Sequence, residues 1–230
     1  FLAVLTCGVF GGILELCLFR PLRKNNVGNI AVLVVTIGLS IFVRHLYLLF
    51  ATGKVQNFPL ELQRRQTYLF FDMTPRNLNV LIAGVVVMLL VGFFLTYTKI
   101  GKAMRAVRDS EDLSSISGIN SDNIILMTWV SSSMLAGLAG IFQATINDVR
   151  WNMGFLILLL IFAGTVLGGI GTSFGAMVGG FLIGIFVQVS VGLPFMEGHT
   201  EAKNAIALAI MIIILLFRPQ GIFGQKERIS

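Results

Sequence analysis

Apolar residues along this chain gather in long blocks, at 2–19, 30–50, 78–97, 124–144, 155–170, 175–191 and 205–217. About 20 residues rising 1.5 Å each cover the hydrocarbon core of a bilayer. The pattern therefore predicts an all-α polytopic membrane protein with about seven transmembrane helices, forming one transmembrane domain over 1–230. The blocks at 155–170 and 205–217 are short, and if the first of them only dips in and returns, the orientation of everything after it reverses.

The polar segments between the blocks are uneven. The longest charged one, 99–120, holds Lys99, Lys102, Arg105 and Arg108 with Asp109, Glu111 and Asp112. A simple helix-to-helix connection needs about 2–8 residues. This island is several times longer, and Met104, Ala106 and Val107 interrupt its charges. It is expected to be a short helix at the membrane surface.

Composition supports the membrane reading. Of 230 residues 56% are hydrophobic and 12% charged, where soluble domains carry about 25% charged residues. The net charge of +6 and pI near 9.8 follow from topology, because Lys and Arg concentrate in cytoplasmic loops. With Arg20, Arg23 and Lys24, the island and the tail (Arg218, Lys226, Arg228) inside, ten basic residues face six outside, with Arg44 left in the membrane. Seven crossings with a cytoplasmic C-terminus satisfy that parity. Cys7 and Cys17 lie ten residues apart on one helix, about 15 Å along its axis, too far for a disulfide. The sequence begins at Phe1 inside an apolar block and its first methionine is Met73. A further N-terminal helix is expected to precede it.

Several residues stand out within the blocks. Gly164 and Gly168, then Gly171, Gly175 and Gly179, then Ala176, Gly180 and Gly184 recur at intervals of four, as do Ser132, Ala136 and Gly140. Small residues let helices approach closely in lipid, so these rows are packing seams or the border of a moving pathway. Glu15 lies near the end of its block and pairs with Arg20 or Arg23. Thr36, Ser40 and Arg44 share one helix face. Arg44 sits about 9 Å from the outer end, where it snorkels to the surface or lines a polar translocation pathway with Thr36 and Ser40.

Enzymatic chemistry is not expected. Two isolated histidines and two helical cysteines make no metal constellation, and no G-x-x-x-x-G-K-[ST] phosphate loop occurs. Neither a metal nor a cofactor is called for, and any energy for pumping must come from a partner or an ion gradient.

Five stretches occur in an order that resembles the permease subunits of branched-chain amino-acid (LIV-type) ABC transporters. They are ELCLFRPLR at 15–23, TIGLSIFVR at 36–44, GKAMRAVRDSEDLSSISGIN at 101–120, VLGGIGTSFGAMVGG at 166–180 and FRPQGIFG at 217–224. The first departs from the family pattern by Leu16 for an arginine and Phe19 for a tyrosine. The resemblance implies the ABC importer permease fold, in the cytoplasmic (inner) membrane. It also implies partners: a second permease, commonly a paralogue, cytoplasmic ATPase subunits and an extracytoplasmic solute-binding protein. The island at 99–120 then becomes the coupling helix that docks on the ATPase. Gly101 allows its entry, Lys102, Arg105 and Arg108 offer charged anchors, and Gly118 ends it; headgroup binding is the alternative for the arginines. The implied cargo is branched-chain amino acids, with urea, short-chain amides, other amino acids or a sugar as alternatives. A different class, an ion-coupled secondary transporter or channel working alone, would need a charged residue near the midplane, for which Arg44 is the candidate.

Overall fold

The computed structural model describes residues 1–25, 27–50, 53, 55, 66–68, 71–147, 149–169, 171–191, 209, 212, 213, 216 and 221–223. The expected span at 205–217 and most of the tail lie outside them. Long helices dominate: α1 (Leu2–Leu14), a π-helical turn (Glu15–Phe19), α2 (Arg20–Lys24), α3 (Asn29–Phe50), α4 (Pro75–Tyr97), α5 (Lys99–Asp109), α6 (Glu111–Ile116), α7 (Ser121–Ile146), α8 (Met153–Gly168) and α9 (Ser173–Val191). Before α4 a small antiparallel ribbon pairs β1 (Gln66–Tyr68) with β2 (Phe71–Met73), Thr67 opposite Asp72.

Among the described residues, four helical segments are long and apolar enough to cross a bilayer: Leu2–Lys24, Ile30–Phe50, Pro75–Tyr97 and Ser121–Ile146. The α8 helix has 16 residues, roughly 24 Å at 1.5 Å per residue, short of the ~30 Å hydrocarbon core. The chain divides into two compact units, Phe1–Trp151 and Asn152–Ser230.

In the first unit α1 packs against α7. The seam is built from glycines, because lipid supplies no hydrophobic drive and close backbone approach must hold the pair. Gly8, Gly11 and Gly12 are buried. A Cβ on Gly11 would meet the Ser133 side chain, and one on Gly137 would meet Cys7 Sγ at 2.8 Å. The α7 side of this seam is therefore Val130, Ser133, Met134 and Gly137. The expected row Ser132, Ala136 and Gly140 lies beside it: Ser132 and Ala136 are exposed, and a Cβ on Gly140 would meet nothing within 4 Å.

The first span is continuous through the π turn, where the Arg20 amide bonds to the Glu15 carbonyl. Pro21 explains the change of pitch. It has no N–H for the Cys17 carbonyl, and its ring crowds that carbonyl, so the preceding turn widens to i→i+5 bonding.

In the second unit α8 and α9 form a tight hairpin around Ala163, Leu167, Ile183 and Val187. Gly168 faces the backbone of Gly175, and Gly164 and Gly179 face each other across the same seam. The turn uses positive φ at Gly169 (107°) and Gly171 (89°). The letters GTSFG at 171–175 fit the G-x-S-x-G nucleophile pattern. That motif requires a strand before its serine; here a helix precedes, and Ser173 opens α9. Residues 221–223 close the hairpin: the Ile222 and Phe223 amides donate to the carbonyls of Leu167 (2.8 Å) and Gly168 (3.0 Å). Those are carbonyls that the end of α8 would otherwise leave unpaired.

Candidate functional site

The island at 99–120 folds as two helices rather than one. Thr98 caps α5, its hydroxyl accepting the Gly101 amide at 3.0 Å. The helix is amphipathic, with Ile100, Ala103, Met104 and Val107 at helical spacing on one side. It stops at Ser110, whose backbone is extended (φ −159°, ψ 114°) and whose hydroxyl accepts the Leu113 amide at 3.2 Å. Ser110 is thus an N-cap, and Glu111 and Asp112 fill the first turn of α6, where negative charge is favoured. Gly118, at φ 84°, ends α6. Its amide bonds to Ser115 and the Ile119 amide to Ser114, both at 3.0 Å, the paired bonds of a left-handed helix stop. Asn120 then caps α7 by accepting the Asn123 amide at 3.1 Å.

The expected coupling residues occupy distinct places on this segment. Gly101 is buried, and a Cβ there would lie 2.5–2.7 Å from backbone atoms of Phe94 and Leu95. Its role is close approach of α5 to the end of α4. Arg105 is half-buried and donates to the Thr96 carbonyl at 3.4 Å, which fastens α5 to α4. Lys102 is exposed, and Arg108 is exposed beside Asp109 at 2.6 Å. Lys102 and Arg108 are therefore the outward charges of the set.

At the base of the island an ion cluster joins the π turn and α2 to α6 and α7. Arg20 donates to Asp122 Oδ2 from Nε (3.2 Å) and Nη2 (2.6 Å). Arg23 Nη2 donates to Glu15 Oε1 and to Asp122 Oδ1, each at 3.0 Å. Arg23 also approaches Glu111 Oε1 at 3.8 Å, and Lys24 lies 4.0 Å from Asp122. Glu15 is 1% exposed, so the bond from Arg23 compensates a charge that water does not reach. Phe19, next to Arg20 in the chain, stacks on Trp129 of α7, ring centroids 4.4 Å apart; the aromatic slot of the first motif is filled by a ring that needs no hydroxyl partner.

These contacts place the end of the first span and the start of α7 at one membrane face, together with the island. Of the two arginines expected to pair with Glu15, Arg23 does so, whereas Arg20 bonds to Asp122, which was not anticipated. The available signal was its position: it is the next acid after Asp112 and lies in the first turn of the following helix.

The expected pathway residues behave differently. The hydroxyls of Thr36 and Ser40 donate to the Leu33 (2.7 Å) and Ile37 (2.9 Å) carbonyls of their own helix. Arg44 lies over the Trp151 ring, 5.2 Å from its centroid, a cation–π contact at the opposite end of the first unit from the ion cluster. The structure thus brings Arg44 to an aromatic partner and leaves Thr36 and Ser40 without a shared site among the described residues.

Comparison with known proteins gives one family. The family model described as branched-chain amino acid transport system / permease component matches residues 1–215. The high-affinity branched-chain amino acid transport system permease protein BraD of Pseudomonas aeruginosa is 31% identical over 233 residues, covering 98% of this chain and 73% of that protein. LivH of Escherichia coli K12, with the same description, is 29% identical over 245 residues with the same coverage. The autoinducer 2 import system permease protein LsrC of Photorhabdus laumondii is 27% identical over 197 residues, covering 82% of this chain and 57% of that protein. No solved structure matches the chain.

Proposed function

The chain belongs to the family of branched-chain amino acid transport permease components, and from this we propose that it is the membrane-spanning subunit of a binding-protein-dependent ABC importer. It is a multi-pass membrane protein and a transport subunit rather than a catalytic one. In this reading branched-chain amino acids move inward across the cytoplasmic membrane. A separate ATPase supplies the energy, a second permease completes the pathway, and a soluble receptor delivers the cargo. The α8–α9 hairpin and the segment at 205–217 supply the remaining crossings of a seven-span arrangement with the C-terminus in the cytoplasm.

The observation that carries this reading is the joined placement of the island and the first family motif. Two capped helices outside the apolar spans, fastened to α4 by Arg105, to α7 by the Ser115–Ser121 contact and to Arg23 of α2 through Glu111, form a handle for a partner. Lys102 and Arg108 present charge to the ATPase, Gly101 permits the tight junction with α4, and Gly118 terminates the handle. Thr36, Ser40 and Arg44 line the pathway only where a second subunit covers α3, whose apolar stretch has no buried residue in this chain. The similarity to an autoinducer 2 import permease favours, as a second cargo, a small polar solute outside the amino acids.

The test is co-purification. Expressed with cognate ATPase subunits, the wild-type chain retains them through affinity purification. The double reversal Lys102→Glu/Arg108→Glu lowers the retained ATPase at least fivefold while leaving membrane insertion intact. Undiminished retention by that variant removes the coupling assignment.

A further inference from the structure

The residues that hold the island against the first span are graded in strength, and the grading has a mechanical meaning. Arg23 reaches three carboxylates. Toward Glu15 it makes a 3.0 Å bond to a carboxylate that is 1% exposed, and toward Asp122 a 3.0 Å bond at 29% exposure. Toward Glu111, on α6, the separation is 3.8 Å and the carboxylate is 46% exposed. Exposed ion pairs are easily broken and reformed, whereas breaking a buried pair strands a charge. One side of Arg23 thus ties α2 to the π turn through Glu15 and to α7 through Asp122, and the other is a contact that α6 can leave and regain.

Two further features fit a moving α6. An open recess of about 480 Å³, lined by Glu111, Ser115, Gly118, Asn120 and Asp122 among others, borders the junction of α6 with α7. Its space borders the two hydroxyl contacts that tie α6 to the start of α7, Ser115 Oγ to Ser121 Oγ at 2.9 Å and the Ser121 hydroxyl to the Glu111 carbonyl at 3.4 Å, so a shift of α6 acts on α7 there as well as through Arg23. The link before α6 is the single residue Ser110 and the link after it is the short stretch 117–120 with its left-handed stop at Gly118, places where a rigid-body shift concentrates its backbone change.

Resting on the importer reading above, we propose that Arg23 is the positioning residue that transmits motion of the island to the α1–α7 pair. Glu111 is its releasable contact, and Glu15 with Asp122 are its fixed ones. Movement of α6 driven from outside the chain changes the Arg23–Glu111 separation. Because Arg23 remains tied to both spans, the force passes into α1 and α7 together rather than into either alone.

The experiment has two arms. In the purified full chain, hydrogen exchange reads the joint without any transport. Glu111→Gln raises exchange across 111–117 by about two- to fivefold, the range expected for one exposed ion pair, and leaves 124–144 unchanged. Arg23→Gln raises exchange in 111–117 and also in 15–24. In proteoliposomes holding the whole complex, leucine accumulated per ATP hydrolysed falls at least threefold in Glu111→Gln and recovers in part in Glu111→Asp. Unchanged exchange in 111–117, or an unchanged leucine-to-ATP ratio alongside altered exchange, overturns the transmission role. A wild-type complex that hydrolyses ATP without taking up leucine defeats the leucine-import reading instead, and the exchange arm then decides the joint by itself.

Discussion

Replacing Arg23 by methionine gives a prediction whose size follows from the geometry. Methionine keeps much of the aliphatic stem and removes the guanidinium. Asp122 retains Arg20, which bonds to it at 2.6 Å, and Glu111 is exposed enough to be hydrated. Glu15 has no such recourse: it is 1% exposed, Arg23 supplies the bond to its Oε1, and its Oε2 has no partner among the described residues. Stranding a buried charge costs about 3–5 kcal/mol. The reverse change, Glu15→Met, leaves Arg23 half-exposed with two other carboxylates and costs about 1 kcal/mol, a typical net hydrogen-bond contribution. The double variant strands nothing, so its loss stays well below the sum, with an interaction of about 2–3 kcal/mol, at the upper end for residues in direct contact. Unfolding by dodecyl sulfate in mixed micelles, followed by tryptophan fluorescence, measures all four proteins, and Trp129 reports locally because it stacks on Phe19 beside the cluster. Additivity within about 0.5 kcal/mol would refute the claim that Arg23 compensates a buried Glu15.

Two further changes separate steric from conformational roles of glycine. Gly168→Ala places a methyl against the backbone of Gly175 and Ala176, which cannot yield as a side chain can, and should lower stability in the same titration by about 1–3 kcal/mol or more. Gly101→Ala and Gly118→Ala form a contrasting pair. The first meets Phe94 and Leu95 backbone and loosens the α4–α5 junction. The second meets nothing within 4 Å but strains a φ of 84°, at about 1–2 kcal/mol. Hydrogen exchange should localise the first effect to 94–105 and the second to 111–119, and Gly118→Asn, which tolerates the left-handed region, should be milder than Gly118→Ala.

The helical spans were legible because a bilayer sets one length for every crossing, and blocks of that length need no tertiary information. The pairing of Glu15 with arginine was legible for a similar reason, since the partners lie within eight residues on one helix. Asp122 was not, because its bond to Arg20 spans 102 positions and exists only once α1 lies antiparallel to α7. The α7 seam was misplaced by one residue: spacing of four is satisfied equally by 132, 136, 140 and by 133 with 137, and only the orientation of α1 chooses between them. The break in the island was hidden for a different reason. Ser110 sits among charges that suit either a continuous helix or a stop, and its cap is visible only from its extended backbone. Thr36 and Ser40 lie on the predicted face, but helix position alone does not reveal that each hydroxyl is already bonded to its own helix.

The central claim is that this chain moves solute only when another protein drives it through the 99–120 segment. The most direct measurement is uptake of radiolabelled leucine into proteoliposomes containing this chain, with and without its ATPases, second permease and receptor. The account predicts accumulation that requires the complete set together with ATP, and none by this chain alone. Leucine accumulation by the chain alone, driven by an imposed ion gradient, would contradict it.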